Sequence, residues 1–455
     1  MEWSIGTFGD LRLDRTGGAI LEQMVARKTV CLRRLGGRRS GELRAGRFFA
    51  SPKVTAGKIV EGWSDLTGPA CAGRHILAIE DRSEVRFPTT AQRRRGLGPV
   101  GKGNAYGVLV QAMVAVDAES GACLGLVGGD VWTRPGVNPT PSYGRPWAER
   151  ESVRWVDTAE QAKLVLQPAA QVTVVADRES DFYALWALVP EPGFYLLIRV
   201  QQDRLLAGGD KRFGASAGFH VSGRRALEVP AREPAQTKRQ AVVELRHGEV
   251  EICRPRSADH SLAGRLRLRL VEVREVAPPE GVEPLHWRLL TTHEIADTAA
   301  AWRIVGWYQR RWIVEQLFRA MKSQGLQLED SQLASAERLV KLAAVATKAA
   351  CIDIQLTQER DGKHKLPAAI VFTAPQMETL AVLGPTLEGD TLRQQNPHPA
   401  FTLAWAAWTI ARLGGWNCYY KPPGPITFRR GMEQFYAIHR GRELEMRLKR
   451  DVRLP

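Results

Sequence analysis

The chain has 455 residues, enough for two to four domains of roughly 100 to 200 residues each and for at least one large core. Hydrophobic residues at 44%, charged residues at 25% and 13 Trp exclude disorder as a description of the whole chain. Lys plus Arg number 64 against 49 Asp plus Glu, a formal charge of +15, which argues for a partner that carries many phosphates.

The first residues, Met-Glu-Trp-Ser-Ile-Gly-Thr-Phe, lack a basic stretch followed by an apolar run, so no secretory signal is readable. No segment approaches the roughly 18 uncharged apolar residues of a membrane span, and no membrane partner is expected. The six cysteines are scattered without a C-x-x-C pair, which reads as reduced thiols of a cytosolic protein without a zinc site.

From Arg27 to Lys58 there are ten Lys or Arg and one acidic residue, Glu42. The pairs Arg33-Arg34 and Arg38-Arg39 flank Leu35-Gly36-Gly37. Such a run can be a solvated face. The apolar stripe Ala19, Ile20, Met24 and Val25 before it and Phe48-Phe49 after it predict instead a helical, DNA-facing unit over residues 1–70.

Three strands follow: Ile76–Ile79 leading into Glu80-Asp81, then residues 105–117, then 122–131. A basic, Gly-rich loop, residues 92–98, separates the first two. Residues 143–166 have helical character. The apolar run Val172–Ala176 predicts a buried strand ending on Asp177, followed by a short helix near 182–188 and a strand at 194–200. Between about 203 and 292 the period becomes two, as in Arg265-Leu266-Arg267-Leu268-Arg269-Leu270-Val271, which predicts an antiparallel block. One long helix is expected from Asp297 or Thr298 to Gly325, with more helix to about 357. Pro- and Gly-rich turns interrupt helix in the last hundred residues. The order predicts an α/β fold with a mixed sheet, because three strands precede the first helix of the sheet region.

On an uninterrupted helix Tyr308, Arg311, Glu315 and Lys322 fall within an arc of about 60°, with Arg319 close by. Read alone, this is a solvated face with an i,i+4 pair. Asp81 and Asp177 each end an apolar strand, where a carboxylate is costly to bury unless a cation meets it. Either could also be an ordinary strand-end residue, and Asp181 a helix N-cap. Together Asp81, Asp177 and Glu315 make three hard oxygen ligands without His or Cys, a set that suits Mg²⁺. Two such ions can clamp an in-line displacement at phosphorus, while the neighbouring cations hold a phosphate backbone. The chemistry expected is metal-assisted phosphoryl transfer on nucleic acid.

Tyr308, Arg311, Glu315 and Lys322 resemble the Y-x2-R-x3-E-x6-K signature of the insertion-sequence-four family of DDE transposases, the family of the Tn-five transposase. Residues 175–183 resemble the segment around that family's second aspartate, and Ile79-Glu80-Asp81 the first. Phe48-Phe49, residues 287–291 and residues 410–416 extend the likeness along the chain.

The resemblance implies an RNase H-like catalytic core over residues 71–365, with Asp81, Asp177 and Glu315 as ligands of two Mg²⁺ ions that Mn²⁺ could replace. It implies a β insertion at about 203–292 and a mainly helical C-terminal dimerisation region at 366–455. It further implies binding of double-stranded transposon ends and target DNA, cut-and-paste chemistry within a homodimer, and a place in the bacterial cytoplasm at the nucleoid. Trp287 corresponds to a residue that takes the pocket of a flipped base during hairpin formation, although the residues alone favour core packing for it, and Trp312 has the same two readings as a base-stacking candidate. Arg82-Ser83 departs from the threonines that relatives often carry there. A DNA-binding relative that keeps the fold but does not transpose is the alternative.

Overall fold

The computed structural model describes residues 3–88, 96–101, 105–136, 145, 147–209, 212–229, 239–322, 325–419 and 421–451. Residues 92–95 of the basic loop and residues 143, 144 and 146 of the expected helix lie outside them.

Five helices come first: α1 (Leu11–Arg27), α2 (Leu32–Gly36), α3 (Arg39–Ala50), α4 (Ala56–Glu61) and α5 (Thr67–Ala70). The expected strands follow as β1 (His75–Phe87), a two-residue β2 (Gly98–Pro99), β3 (Tyr106–Asp117) and β4 (Cys123–Trp132). Next are α6 (Val153–Val165), β5 (Gln171–Ala176), α7 (Tyr183–Leu188), β6 (Phe194–Arg199) and α8 (Arg212–Ala215). The period-two region becomes β7 (Val221–Val229), β8 (Arg239–Cys253), β9 (Arg265–Glu275) and β10 (His286–Thr291). Six helices complete the chain: α9 (Thr298–Gln309), α10 (Trp312–Met321), α11 (Ala336–Glu359), α12 (Ala374–Leu387), α13 (Leu403–Leu413) and α14 (Pro425–Asp451). None of the described helices is long and apolar enough to cross a membrane, and all six cysteines are free.

The protein is mixed α/β, built on one large mixed sheet in the order β2-β3-β1-β5-β6-β10-β9-β8-β7, with β4 also on β3. β1, β5 and β6 run parallel, and β3 and β4 continue outward antiparallel. The inserted block extends this sheet, because β10 pairs with both β6 and β9. Strand β5 is buried from its second residue to its last, as a strand flanked by two parallel neighbours must be.

The N-terminal helices dock on α11 through buried polar groups as well as apolar ones. Trp63 Nε1 donates to the Ala344 carbonyl at 2.9 Å. Lys341, 3% exposed, places Nζ 3.0 Å from the Ser51 carbonyl, 3.2 Å from that of Phe49 and 2.6 Å from a Glu337 carboxylate oxygen. Those carbonyls belong to the end of α3, where the helix lacks its own donors.

Two expectations are corrected. The single helix from 297 to 325 is two helices, with Asp297 as the N-cap, accepting from Ala300 N at 2.6 Å. At the junction the hydrogen bonds shorten to i→i+3: Arg310 N to Trp307 O, Arg311 N to Tyr308 O, and Ile313 N to Arg310 O. No Pro or Gly lies at this turn. Tertiary pull on two arginines accompanies it: Arg310 donates to the carbonyls of Asp117 and Glu119, each at 2.8 Å, and Arg311 turns towards carboxylates. The chain does turn back near Gly325, where any Cβ would sit 2.1 Å from the Ala320 carbonyl oxygen. The second correction is that β1 does not end at Asp81. It continues to Phe87 on β3, while its pairing with β5 stops at Glu80–Ala176.

Candidate active site

Register explains how two acids distant in sequence become neighbours. Glu80 pairs with Ala176, the last residue of β5, so Asp81 and Asp177 lie side by side just past the final parallel pair. Glu315 arrives from the first turn of α10. All three carboxylates face one guanidinium. Arg311 Nη1 is 2.6 Å from Asp81 Oδ2, and Nη2 is 3.0 Å from Glu315 Oε1 and 3.8 Å from Asp177 Oδ2.

Burial sets the electrostatics. The Asp81 side chain is 17% exposed, against 29% for Asp177 and 37% for Glu315. Desolvation pushes the Asp81 carboxyl up to about 6, even though Arg311 and the Arg82 backbone N–H, 2.8 Å from Oδ1, both oppose the rise. The guanidinium is itself partly desolvated, but its carboxylate neighbours hold its pKa above the ordinary value. The centre therefore carries more negative charge than Arg311 alone neutralises well. Among the described residues no group of three or more His, Cys, Asp or Glu side chains is arranged to hold a metal ion. The donor set nevertheless fits a hard divalent cation: three carboxylates, one of them under-compensated in a low-dielectric setting.

The other expected residues divide. Tyr308 is 4% exposed, so the four signature residues do not form one surface stripe, since the turn at 310–311 breaks the wheel. Its hydroxyl donates to Asp177 Oδ1 at 3.1 Å, and burial raises its pKa. Trp287, half-buried, meets the Tyr308 ring edge-on at 5.2 Å between centroids and also packs against the core. Lys322 ends α10, its ammonium donating to the Glu84 carbonyl, with burial lowering its pKa. Arg319 stacks over Trp312, 4.7 Å from the ring centroid. Asp181 does not cap α7. It is buried and accepts from the backbone N–H groups of Gln201 and Gln202 at 2.8 and 2.9 Å, fixing the loop after β6.

The basic residues Arg33, Arg34, Arg38 and Arg39 stand apart from this centre, on α2 and the start of α3, and all four are exposed. The glycines between the pairs are needed for closeness. A Cβ on Gly36 would lie 2.2 Å from Glu42 N, and Gly37 turns the chain at φ 66°. Arg39 pairs with Glu42 at 2.9 Å.

Sequence reasoning did not reach a charged network around the aspartates. Arg82 bridges Glu151 at 2.9 Å and Glu179 at 2.7 Å, and Arg134 grips Glu151 at 2.6 and 2.8 Å. Glu80, fully buried, accepts from Gln111 Nε2 at 2.5 Å, and desolvation drives its pKa well above the usual carboxyl range. The only local signal was the placement of Glu80 and Arg82 on either side of Asp81.

Residues 150–352 match the family model described as the transposase DDE domain. That segment contains Asp177 and the stretch from Tyr308 to Lys322; Asp81 lies outside it and joins the site through Arg311. The match supports a DDE transposase. Among solved structures, one similar chain is that of a piggyBac transposase synaptic complex with hairpin DNA, at 13% identity and a TM-score of 0.31. The likeness covers 64% of this chain and 48% of that one, so this chain spans about half of its length.

Proposed function

We propose that the protein is a DNA transposase of the DDE type, related to the insertion-sequence-four family, that binds the inverted-repeat ends of a mobile element and moves them by cut and paste. The convergence of Asp81, Asp177 and Glu315 on one guanidinium is the observation that carries this reading. A sheet in which β4, β3, β1, β5 and β6 lie in that order supports an RNase H-like core. DDE transposases generally use divalent metal ions. Asp81, Asp177 and Glu315 would hold two Mg²⁺, or Mn²⁺ in their place.

When bound, the ions supply a clamp on the attacking and leaving oxygens of an in-line displacement at phosphorus. The residues around them do the positioning. Arg311 leaves the carboxylates and takes a non-bridging phosphate oxygen, so that the site exchanges one cation for another. Tyr308 keeps Asp177 oriented through its hydroxyl while staying in the core. Trp312 at the start of α10 with Arg319 stacked over it, and Lys322 at the end of the helix, form the bed for the DNA strand. In end cleavage water attacks phosphorus and the 3′ oxygen leaves. In hairpin formation and strand transfer a 3′ hydroxyl attacks instead. Trp287, packed on Tyr308, would take the pocket of a flipped base during hairpin formation. Exposed Leu444 and Leu448, one turn apart on α14, support a homodimer through the C-terminal region. The domain limits follow the sequence: 1–70 for end recognition, 71–365 for catalysis and 366–455 for pairing of subunits.

The test is nicking of a duplex carrying the element's end with Mg²⁺, compared with Asp177→Ala and Glu315→Ala. Each variant should lose nicking and keep end binding. Substantial cleavage by either one overturns the assignment of the acids and favours the alternative of a DNA-binding relative that does not transpose.

A further inference from the structure

A groove with a volume of about 690 Å³ opens between the α2 region and the start of α14. Arg27, Cys31, Arg33 and Arg34 form one side, and Arg429 and Glu433 the other. The walls are tied together. Arg27 Nε lies 3.8 Å from Glu433 Oε1, and its Nη1 donates to the Arg34 carbonyl. Arg27 thus touches both sides of the groove. Arg33, Arg34 and Arg429 are exposed, and no carboxylate pairs with any of them among the described residues. Four guanidiniums against one carboxylate leave the groove with a net charge of +3.

Unpaired arginines that share a concave surface repel one another, and a multiply charged anion relieves that repulsion. Guanidinium groups match phosphate oxygens in geometry, and several on one line suit a backbone better than a single ion. We propose that this groove holds the phosphodiester backbone of duplex DNA, with Arg429 of the C-terminal helix contributing alongside Arg33 and Arg34. The inference rests on the DNA-handling reading above. It adds that α14 belongs to the DNA surface at its beginning, as well as serving subunit pairing towards its end.

Two measurements test it on the full chain with a generic duplex. In the first, the salt dependence of duplex binding is compared for wild type, Arg33→Ala, Arg429→Ala and the double variant. Each neutralised phosphate contributes about 0.9 to the slope of log K against log salt, so each single change should lower the slope by about one and the double change by about two. Arg393→Ala, an exposed arginine outside the groove, should leave it unchanged. An Arg429→Ala slope equal to wild type overturns the proposal.

In the second, Cys31, the one exposed cysteine and a groove residue, reports occupancy by its alkylation rate, followed on its own peptide. Saturating duplex should slow alkylation at least fivefold in wild type. Equal reactivity with and without duplex, or protection by tripolyphosphate and not by duplex, overturns it. The two readings fail differently. Protein that is protected by duplex but never nicks a duplex carrying the element's end with Mg²⁺ loses the transposase assignment, and protein that nicks that end while Cys31 stays reactive loses the groove.

Discussion

Arg311→Ala should bind a divalent cation more tightly than the wild-type protein while losing nicking. This guanidinium sits 2.6 Å from Asp81, 3.0 Å from Glu315 and 3.8 Å from Asp177, the three carboxylates proposed to hold the ion. A unit charge 4 Å from another is worth about 4 kcal/mol at an effective dielectric near 20, so its opposition to a doubly charged ion is bounded by about 8 kcal/mol. Solvent at Glu315, 37% exposed, and the freedom of Arg311 to swing away reduce this to about 1–3 kcal/mol. That corresponds to Mn²⁺ affinity tighter by about tenfold to a hundredfold. The same substitution leaves three carboxylates facing one another, which costs about 3 kcal/mol of metal-free stability. Calorimetric titration with Mn²⁺ in the absence of DNA, together with thermal unfolding with and without the ion, measures both effects. Mn²⁺ binding no tighter than wild type, or unchanged metal-free stability, would refute the idea that Arg311 stands in for the ion.

Two further predictions concern stability. His75 and His293 share the Thr173 hydroxyl at 2.8 and 2.7 Å, and burial holds their pKa values down to about 4 and about 3, below the unfolded value near 6.5. The unfolded chain therefore binds protons first. Stability should be full above about pH 6.5 and should fall as the pH drops towards 4, by about 3 kcal/mol for each histidine at one unit per 1.36 kcal/mol. Denaturant melts at pH 7.5 and 4.5 should show a smaller loss for His75→Gln; an identical loss would remove His75 as a cause. Separately, Lys341→Met should cost about 2–4 kcal/mol in urea unfolding, because the carbonyls of Phe49 and Ser51 lose their buried donor. A cost under about 0.5 kcal/mol would mean that water replaces the ammonium.

What could be read from the sequence follows from the range of the interactions concerned. The alternation at 265–271 and the apolar run at 172–176 are local patterns set by burial, and both became the expected strands. Asp177 was legible for the same reason, since the apolar run stops there. The end of β1 was not: after Asp81 the strand has one partner instead of two, so the burial period fades while the backbone stays extended to Phe87. The break at Arg310 and Arg311 has no local mark, because its partners, Asp117, Glu119 and Asp81, come from the other end of the sheet region.

That break decides how the signature residues work. On a straight helix Tyr308 and Glu315 would share an outer face. The tighter turn instead sends Tyr308 inward to orient Asp177 and leaves Arg311 at the junction, within reach of all three acids. The spacing of Tyr308, Arg311 and Glu315 therefore records two helices meeting at a bend, with Arg311 at the bend beside all three acids. A substitution that straightens the junction by removing the pull on Arg310 should then disturb Arg311 without touching any acid.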